Sequence, residues 1–181
     1  MSLLNVFFKT FSLYPIQRVA LSILLFTGVQ AFAQPYPNPY RMVDTWAHGI
    51  GVDKDGNVWV TDAVSEARTP EGKRGHQVIK FTPQGEVLMV IGTPGVPGNG
   101  DYEFNAPSDL AIADNGDIFI ADGHGANLNN RVMKYSSDGT FIKSWGKTGY
   151  GPGEFRNLYA LAIDSRGRLF VADRGNTRWV F

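Results

Sequence analysis

Short apolar runs separated by polar turns recur along the chain in one pattern. Residues 108–122 read SDLAIADNGDIFIAD, in which two apolar runs flank Asn115 and Gly116, and residues 48–62 and 159–173 repeat this arrangement. Asn-Gly between apolar runs is typical of a tight hairpin turn, because both residues adopt positive φ at little cost. The second apolar run has no polar alternation, which indicates a strand covered on both faces. Each copy therefore predicts a two-stranded hairpin.

A second repeated pattern lies between these copies. Residues 77–92, QVIKFTPQGEVLMVIG, and residues 131–146, RVMKYSSDGTFIKSWG, each predict a strand, a turn at a glycine and another strand. One complete unit then has four short strands, and repeats of about 40–50 residues with four strands each are typical of β-propeller blades. The sequence predicts an all-β propeller segment with blades at about 46–92, 106–146 and 158–181, the last one incomplete.

The number of predicted blades is small for a closed ring. Propellers close with about 4–8 blades, whereas this sequence holds two complete blades and part of a third. The sequence is therefore either a fragment of a longer protein or a form that has lost blades. An open arc leaves apolar strand faces and edges uncovered, so we expect the isolated chain to self-associate.

Composition narrows the classes of function. Lys and Arg total 17 and Asp and Glu total 17, which gives a net charge of zero and none of the basic excess of a nucleic-acid-binding protein. The sequence has no cysteine, so disulfides and thiolate metal sites are excluded. We expect a small peptide, another small molecule or a protein as the partner, and no nucleic acid.

Residues 1–33 have the pattern of a secretory signal peptide. Lys9 and Arg18 precede an apolar run, and Ala31-Phe32-Ala33 supplies an A-x-A cleavage site before Gln34. The alternative is an uncleaved anchor, but the apolar run is shorter than the roughly 20 residues that a spanning helix needs. We expect a secreted or periplasmic protein without a membrane anchor after cleavage. Residues 34–45 form a proline-rich lead-in, and residues 46–181 form the propeller segment.

Two further motifs suggest a family. Residues 171–178 read VADRGNTR before an apolar strand, and the connectors 92–100, GTPGVPGNG, and 147–155, KTGYGPGEF, are Gly-rich and similar to each other. These motifs resemble secreted bacterial NHL-repeat propellers related to the peptidyl-α-hydroxyglycine amidating lyases. The resemblance covers about residues 47–178 and is carried by the repeat motif and by both connectors.

The resemblance implies a six-bladed lyase that splits a peptidyl-α-hydroxyglycine into a peptide amide and glyoxylate. Three histidines would hold a catalytic zinc, a tyrosine and arginines would act on the substrate, and calcium would support the fold. By position, His48 matches the first zinc ligand, and Arg174 matches the arginine of the motif. Tyr159 stands where the second zinc ligand is expected, and His124 stands where the catalytic tyrosine is expected.

These departures from the family pattern lead to two hypotheses. The position of the third zinc ligand lies beyond Phe181, and a tyrosine is a poor zinc ligand because a phenol gives up its proton only in alkaline solution. We therefore expect a lyase-like propeller without lyase activity as the chain stands. The alternative is a non-catalytic propeller that serves as a scaffold for a ligand or a protein. His48 would then line the channel without a metal, and His124 would be a loop residue.

Other recurring residues favour structural roles. An aspartate follows the second strand of every blade, which predicts hydrogen bonds to loop amides or to the guanidinium groups of Arg131 and Arg178. An aromatic residue at one repeat position predicts packing between blades. The recurring aspartates are Asp62, Asp122 and Asp173, and the aromatic residues are Trp59, Phe119 and Phe170.

His76 is interpreted as a loop residue. Residues 53–57 are interpreted as a hairpin turn, since no later glutamate completes a calcium loop. Arg174 has no arginine counterpart in the other blades and is the candidate for binding a substrate carboxylate.

Overall fold

The computed structural model describes residues 47–63, 75–125 and 127–181, and it describes the side chains of all of these except Ala47 and His48. Within these residues, eleven strands form three antiparallel sheets, in which neighbouring strands follow chain order. The first sheet contains β1 (Ala47–Val52), β2 (Val58–Asp62), β3 (Gln77–Phe81) and β4 (Val87–Gly92). The second contains β5 (Pro107–Ile112), β6 (Ile118–Asp122), β7 (Arg131–Tyr135) and β8 (Phe141–Trp145). The third contains β9 (Leu158–Ile163), β10 (Leu169–Asp173) and β11 (Arg178–Val180). The predicted all-β propeller segment is confirmed, and the three sheets are called blades 1, 2 and 3 in chain order.

The first strand of each blade carries a bulge at the same repeat position. In blade 2, Pro107 pairs with Asp122 and Asp109 pairs with Ala121, so Ser108 is the extra residue on its strand. The register of blade 3 leaves Tyr159 in the same place, and the register of blade 1 is irregular between Ala47 and Ile50. A bulge re-aims the side chain of the extra residue. The irregular backbone of each first strand therefore lies at one repeat position, which is occupied by His48, Ser108 and Tyr159.

Apolar side chains of adjacent blades form the core. One buried cluster lies between blades 1 and 2, and a second lies between blades 2 and 3. Trp59 is fully buried in the first cluster, and Phe119 packs against the second, as predicted. Phe170 is half-buried, with its ring centroid 5.8 Å from that of Phe181.

The recurring aspartates anchor the connectors between blades, as predicted. Asp122 is fully buried, and its carboxylate accepts hydrogen bonds from the Asn105 amide, the Asn129 side chain and the Arg131 guanidinium. The same guanidinium also donates to the carbonyls of Gly100 and Glu103. This arrangement ties the end of β6 to the connector that precedes β5.

Blade 3 repeats the arrangement around Asp173. The Asp173 carboxylate accepts from the Arg156 amide, the Asn176 side chain and the Arg178 guanidinium. In blade 1, the Asp62 carboxylate accepts from the Gly75 amide and the Gln77 side chain. The residues that directly follow Asp122 and Asp173 belong to the candidate site. The hydrogen bonds of these two aspartates hold the backbone in place where those residues begin.

His76 has a structural role that the interpretation as a loop residue missed. It lies in the bend before β3, it is buried, and its Nδ1 accepts a hydrogen bond of 3.1 Å from the Ala106 amide. Asn130 holds the matching place in blade 2, where its side-chain oxygen accepts from the Asn157 amide at 2.6 Å. Both residues adopt positive φ and link one blade to the connector of the next.

Candidate functional site

Three of the four candidate residues meet at one end of the first strands of blades 2 and 3. The ring centroids of His124 and Tyr159 lie 5.6 Å apart, edge to face. The Cζ atom of Arg174 lies 5.4 Å from the centroid of the Tyr159 ring. Tyr159 is 53% exposed, and the Arg174 side chain is also exposed. The site therefore presents a phenol and a guanidinium to solvent, and the half-buried imidazole of His124 lies beside the phenol.

His124 is positioned by a glycine that no other residue could replace without strain. Gly123 follows the anchored Asp122 and adopts φ +124°, and a Cβ atom there would collide with the backbone of Asn130. The His124 amide then donates to the Ala106 carbonyl at 2.8 Å. Because of this tight turn, the His124 imidazole of blade 2 contacts the Tyr159 ring of blade 3.

Arg174 is positioned by the turn that follows β10. It begins a three-residue 3-10 turn, Arg174–Asn176, directly after the anchored Asp173. The amide of Gly175 donates to the Arg156 carbonyl at 2.7 Å, and a Cβ atom at Gly175 would collide with that carbonyl. In the described part of the chain, no carboxylate forms an ion pair with Arg174. Its guanidinium contacts the Tyr159 ring and keeps donors available for a ligand.

The His48 side chain lies outside the described residues, and only the backbone of His48, in β1, is described. Ser108, at the equivalent position of blade 2, is buried, and its hydroxyl donates to the Ala121 carbonyl at 3.4 Å. Tyr159 is therefore the exposed member of this repeat position among the described side chains.

Asp109 is a site neighbour that the sequence analysis missed. Its carboxylate accepts a hydrogen bond of 2.8 Å from the Leu161 amide and so joins the first strands of blades 2 and 3. Burial raises the pKa of Asp109 above its usual range, although the hydrogen bonds from the Leu161 and Leu110 amides act to lower it. A Cβ atom at Gly49 would lie 2.5 Å from this carboxylate, so the missing side chain of Gly49 in blade 1 leaves room for the Asp109 carboxylate. The signal available in the sequence was that the repeat position holds glycine and alanine in the other blades.

The described residues offer little for a metal ion. Within 47–63, 75–125 and 127–181, no three His, Asp or Glu side chains are grouped so that they could ligate one. The Asp53 carboxylate, which begins the segment with calcium-like spacing, accepts from the Asn57 side chain, the Trp59 indole and Lys80. Burial would raise the pKa of Asp53, but these three donors hold it well below its usual range. The predicted hairpin turn is confirmed by the hydrogen bond from the Gly56 amide to the Asp53 carbonyl.

Known proteins are similar to this chain in sequence. Human NHL repeat-containing protein 3 is 40% identical over 141 residues, which cover 75% of this chain and 38% of the relative. Peptidyl-glycine alpha-amidating monooxygenase B of Xenopus laevis is 38% identical, over 72% of this chain and 14% of the relative. Peptidyl-alpha-hydroxyglycine alpha-amidating lyase 1 of Drosophila melanogaster is 34% identical, over 72% of this chain and 24% of the relative.

The chain is a homologue of NHL-repeat proteins and amidating lyases. This confirms the part of the resemblance that concerns NHL-repeat proteins and amidating lyases. The chain spans less than two fifths of the length of each of these three relatives. No protein-family model matches the sequence.

A solved structure supports the NHL-type propeller fold. The selenomethionine-substituted virginiamycin B lyase from Staphylococcus aureus matches with a TM-score of 0.50 at 17% identity. The match covers 76% of this chain and 38% of that chain. At this level of identity the likeness concerns the β-propeller fold alone. Among the described residues there is no helix of the length and apolar character that a membrane crossing requires.

Proposed function

We propose that this protein is an exported NHL-repeat propeller of the amidating-lyase lineage that binds a carboxylate-ended peptide without cleaving it. The observation that carries the proposal is the contact of the Arg174 guanidinium with the Tyr159 ring, at 5.4 Å from its centroid. The homologues named as amidating lyases support the lineage. Residues 1–33, which lie outside the described residues, supply the export signal in this proposal.

The donor set argues against zinc at this site. By resemblance, Tyr159 occupies the place of the second zinc ligand, and a phenol binds zinc poorly near neutral pH because it keeps its proton. Tyr159 therefore does not fit the zinc that the resemblance implies. No step of the proposed function uses zinc or calcium.

The exposed groups suit a terminal carboxylate. A guanidinium binds a carboxylate through two parallel hydrogen bonds, and such charge-assisted bonds are stronger than neutral ones. Tyr159 offers an exposed ring for the last side chain of the peptide and a hydroxyl for its backbone. His124, which contacts that ring at 5.6 Å, adds an imidazole at the edge of the site.

Calorimetric titration with a short peptide tests the proposal. We expect the peptide with a free C-terminal carboxylate to bind, and the same peptide ending in an amide to bind at least about tenfold more weakly. We expect Arg174→Gln to weaken binding of the carboxylate form by about the same factor, since it removes the charge-assisted pair.

Arg166→Gln is the matched control for this titration. Arg166 is an exposed arginine in the β9–β10 turn, at the other end of the same strands, and its loss should leave the affinity unchanged. Equal binding of the carboxylate and amide peptides, or equal effects of the two arginine substitutions, would contradict the proposed function.

A further inference from the structure

A second arginine lies close to Arg174 and has no part in the proposed function so far. Arg156 lies just before β9, in the connector between blades 2 and 3, and its carbonyl accepts the hydrogen bond from the Gly175 amide. The Arg156 Cγ atom lies 2.8 Å from the position that a Cβ atom of Gly175 would take. Since Arg174 directly precedes Gly175, the two arginines flank one exposed glycine.

The Arg156 guanidinium is held by a tyrosine of the same connector and not by a carboxylate. Its Nη1 donates to the Tyr150 hydroxyl at 2.5 Å, and its Cζ lies 5.2 Å from the centroid of the Tyr150 ring. In the described part of the chain, no carboxylate forms an ion pair with Arg156, and the neighbouring Glu154 pairs with Lys147. A guanidinium has five N–H donors, so the bond to Tyr150 leaves donors for a ligand.

Blade 2 shows which parts of this arrangement serve the fold. The Arg156 amide donates to the Asp173 carboxylate as the Asn105 amide donates to the Asp122 carboxylate. Asn105 therefore holds the place of Arg156 in blade 2. The backbone contact is common to both blades, and only blade 3 adds a positive charge at this place.

The tyrosine that holds Arg156 is also particular to blade 3. The Arg178 guanidinium donates to the Tyr150 carbonyl as the Arg131 guanidinium donates to the Asn99 carbonyl, so Asn99 holds the place of Tyr150 in blade 2. Both connectors thus keep the same backbone contact with different side chains. Because the fold is met without Tyr150 and Arg156 in blade 2, these two side chains are available for a ligand in blade 3.

We propose that the peptide bound at Arg174 carries an acidic side chain upstream of its last residue, and that Arg156 binds this side chain. The inference rests on the proposed function, in which Arg174 holds the terminal carboxylate. The two arginine side chains leave from neighbouring backbone, and an extended peptide advances about 3.3 Å per residue, so a short segment across Gly175 reaches both. Gly175 has no side chain to obstruct that segment.

The chemistry of the pair favours a ligand with two negative charges. The planar guanidinium of Arg156 matches the geometry of a carboxylate, and its contact with Tyr150 limits the orientations it must give up on binding. The Tyr150 hydroxyl accepts from Arg156 and keeps its own proton to donate to the same carboxylate. Two cationic side chains on one exposed surface also raise the local positive potential, which attracts a dianionic ligand more than a monoanionic one.

Calorimetric titration with pairs of peptides tests the inference. Both peptides of a pair end in a free carboxylate and differ only by Glu or Gln at one upstream position, and this position is moved along the series. At the position that reaches Arg156, we expect the Glu form to bind about fivefold more tightly. Arg156→Gln should abolish this preference and leave the affinity for the Gln form unchanged, which also shows that the variant folds. Arg166→Gln should keep the preference.

Reversing the charge separates a direct contact from an effect on the backbone. At the same peptide position, the Arg156→Glu chain should prefer Lys over Glu by about fivefold, because the ion pair forms with its charges exchanged. A chain that prefers the carboxylate-ended peptide over the amide-ended one but binds the Glu and Gln forms equally at every position would overturn this inference alone. A preference that survives Arg156→Gln, or one that Arg156→Glu does not reverse, would also overturn it. Equal binding of the carboxylate and amide peptides would overturn the proposed function as well.

Discussion

Replacing Asp122 with alanine is expected to lower the free energy of unfolding by about 3–5 kcal/mol, because it leaves the Arg131 guanidinium without its buried partner. The Asp122 carboxylate is fully buried and accepts from Arg131 at 3.0 Å. It also accepts from the Asn105 amide at 2.7 Å and the Asn129 side chain at 2.7 Å. The loss therefore affects the connector before blade 2 as well as the end of β6.

Urea denaturation followed by tryptophan fluorescence measures this loss. Asp55→Ala is the matched control, since Asp55 forms an exposed ion pair with Lys54 and such pairs contribute little to stability. We expect no change in the unfolding midpoint for the control. If Asp122→Ala and Asp55→Ala shifted the midpoint equally, the aspartates at the strand ends would not be the anchors of the connectors.

Replacing Trp59 with alanine is expected to lower the free energy of unfolding by about 3–5 kcal/mol, through lost apolar burial and the cavity left behind. Trp59 is fully buried between blades 1 and 2. Its indole donates to the Asp53 carboxylate at 3.2 Å, and the Lys80 ammonium lies 4.9 Å from its ring centroid. The substitution thus removes packing, one hydrogen bond and a cation–π contact at the same interface.

Thermal unfolding monitored by circular dichroism measures the effect of Trp59→Ala. Tyr150→Ala provides an aromatic control, because the Tyr150 ring is exposed on a connector. The control should unfold within a few degrees of the wild type, and Trp59→Ala well below it. A small effect of Trp59→Ala would mean that the interface between blades 1 and 2 contributes less than its buried apolar side chains indicate.

Much of the fold could be predicted from sequence because its signals are local. The turns at Gly56, Gly116 and Gly167 depend on positive φ at a glycine between apolar runs, and all three glycines adopt it. The role of Asp122 and Asp173 followed from their recurrence, because a residue that every blade repeats is expected to serve the blade rather than a ligand.

The site was only partly predictable. Family resemblance singled out Tyr159, His124 and Arg174 one by one, but their contacts depend on how blade 2 is rotated against blade 3 and on the φ of Gly123. Asp109 was missed because its partner, the Leu161 amide, lies in another blade, and no periodicity within one blade reports such a contact.

Glyoxylate release from a peptidyl-α-hydroxyglycine, with zinc added, tests most directly the claim that this propeller binds without cleaving. We predict that the wild-type chain releases glyoxylate no faster than the uncatalysed reaction. We predict the same for Tyr159→His, because His124 still stands where the family resemblance places the catalytic tyrosine. Zinc-dependent release by the wild-type chain that disappears in His48→Ala would contradict the account.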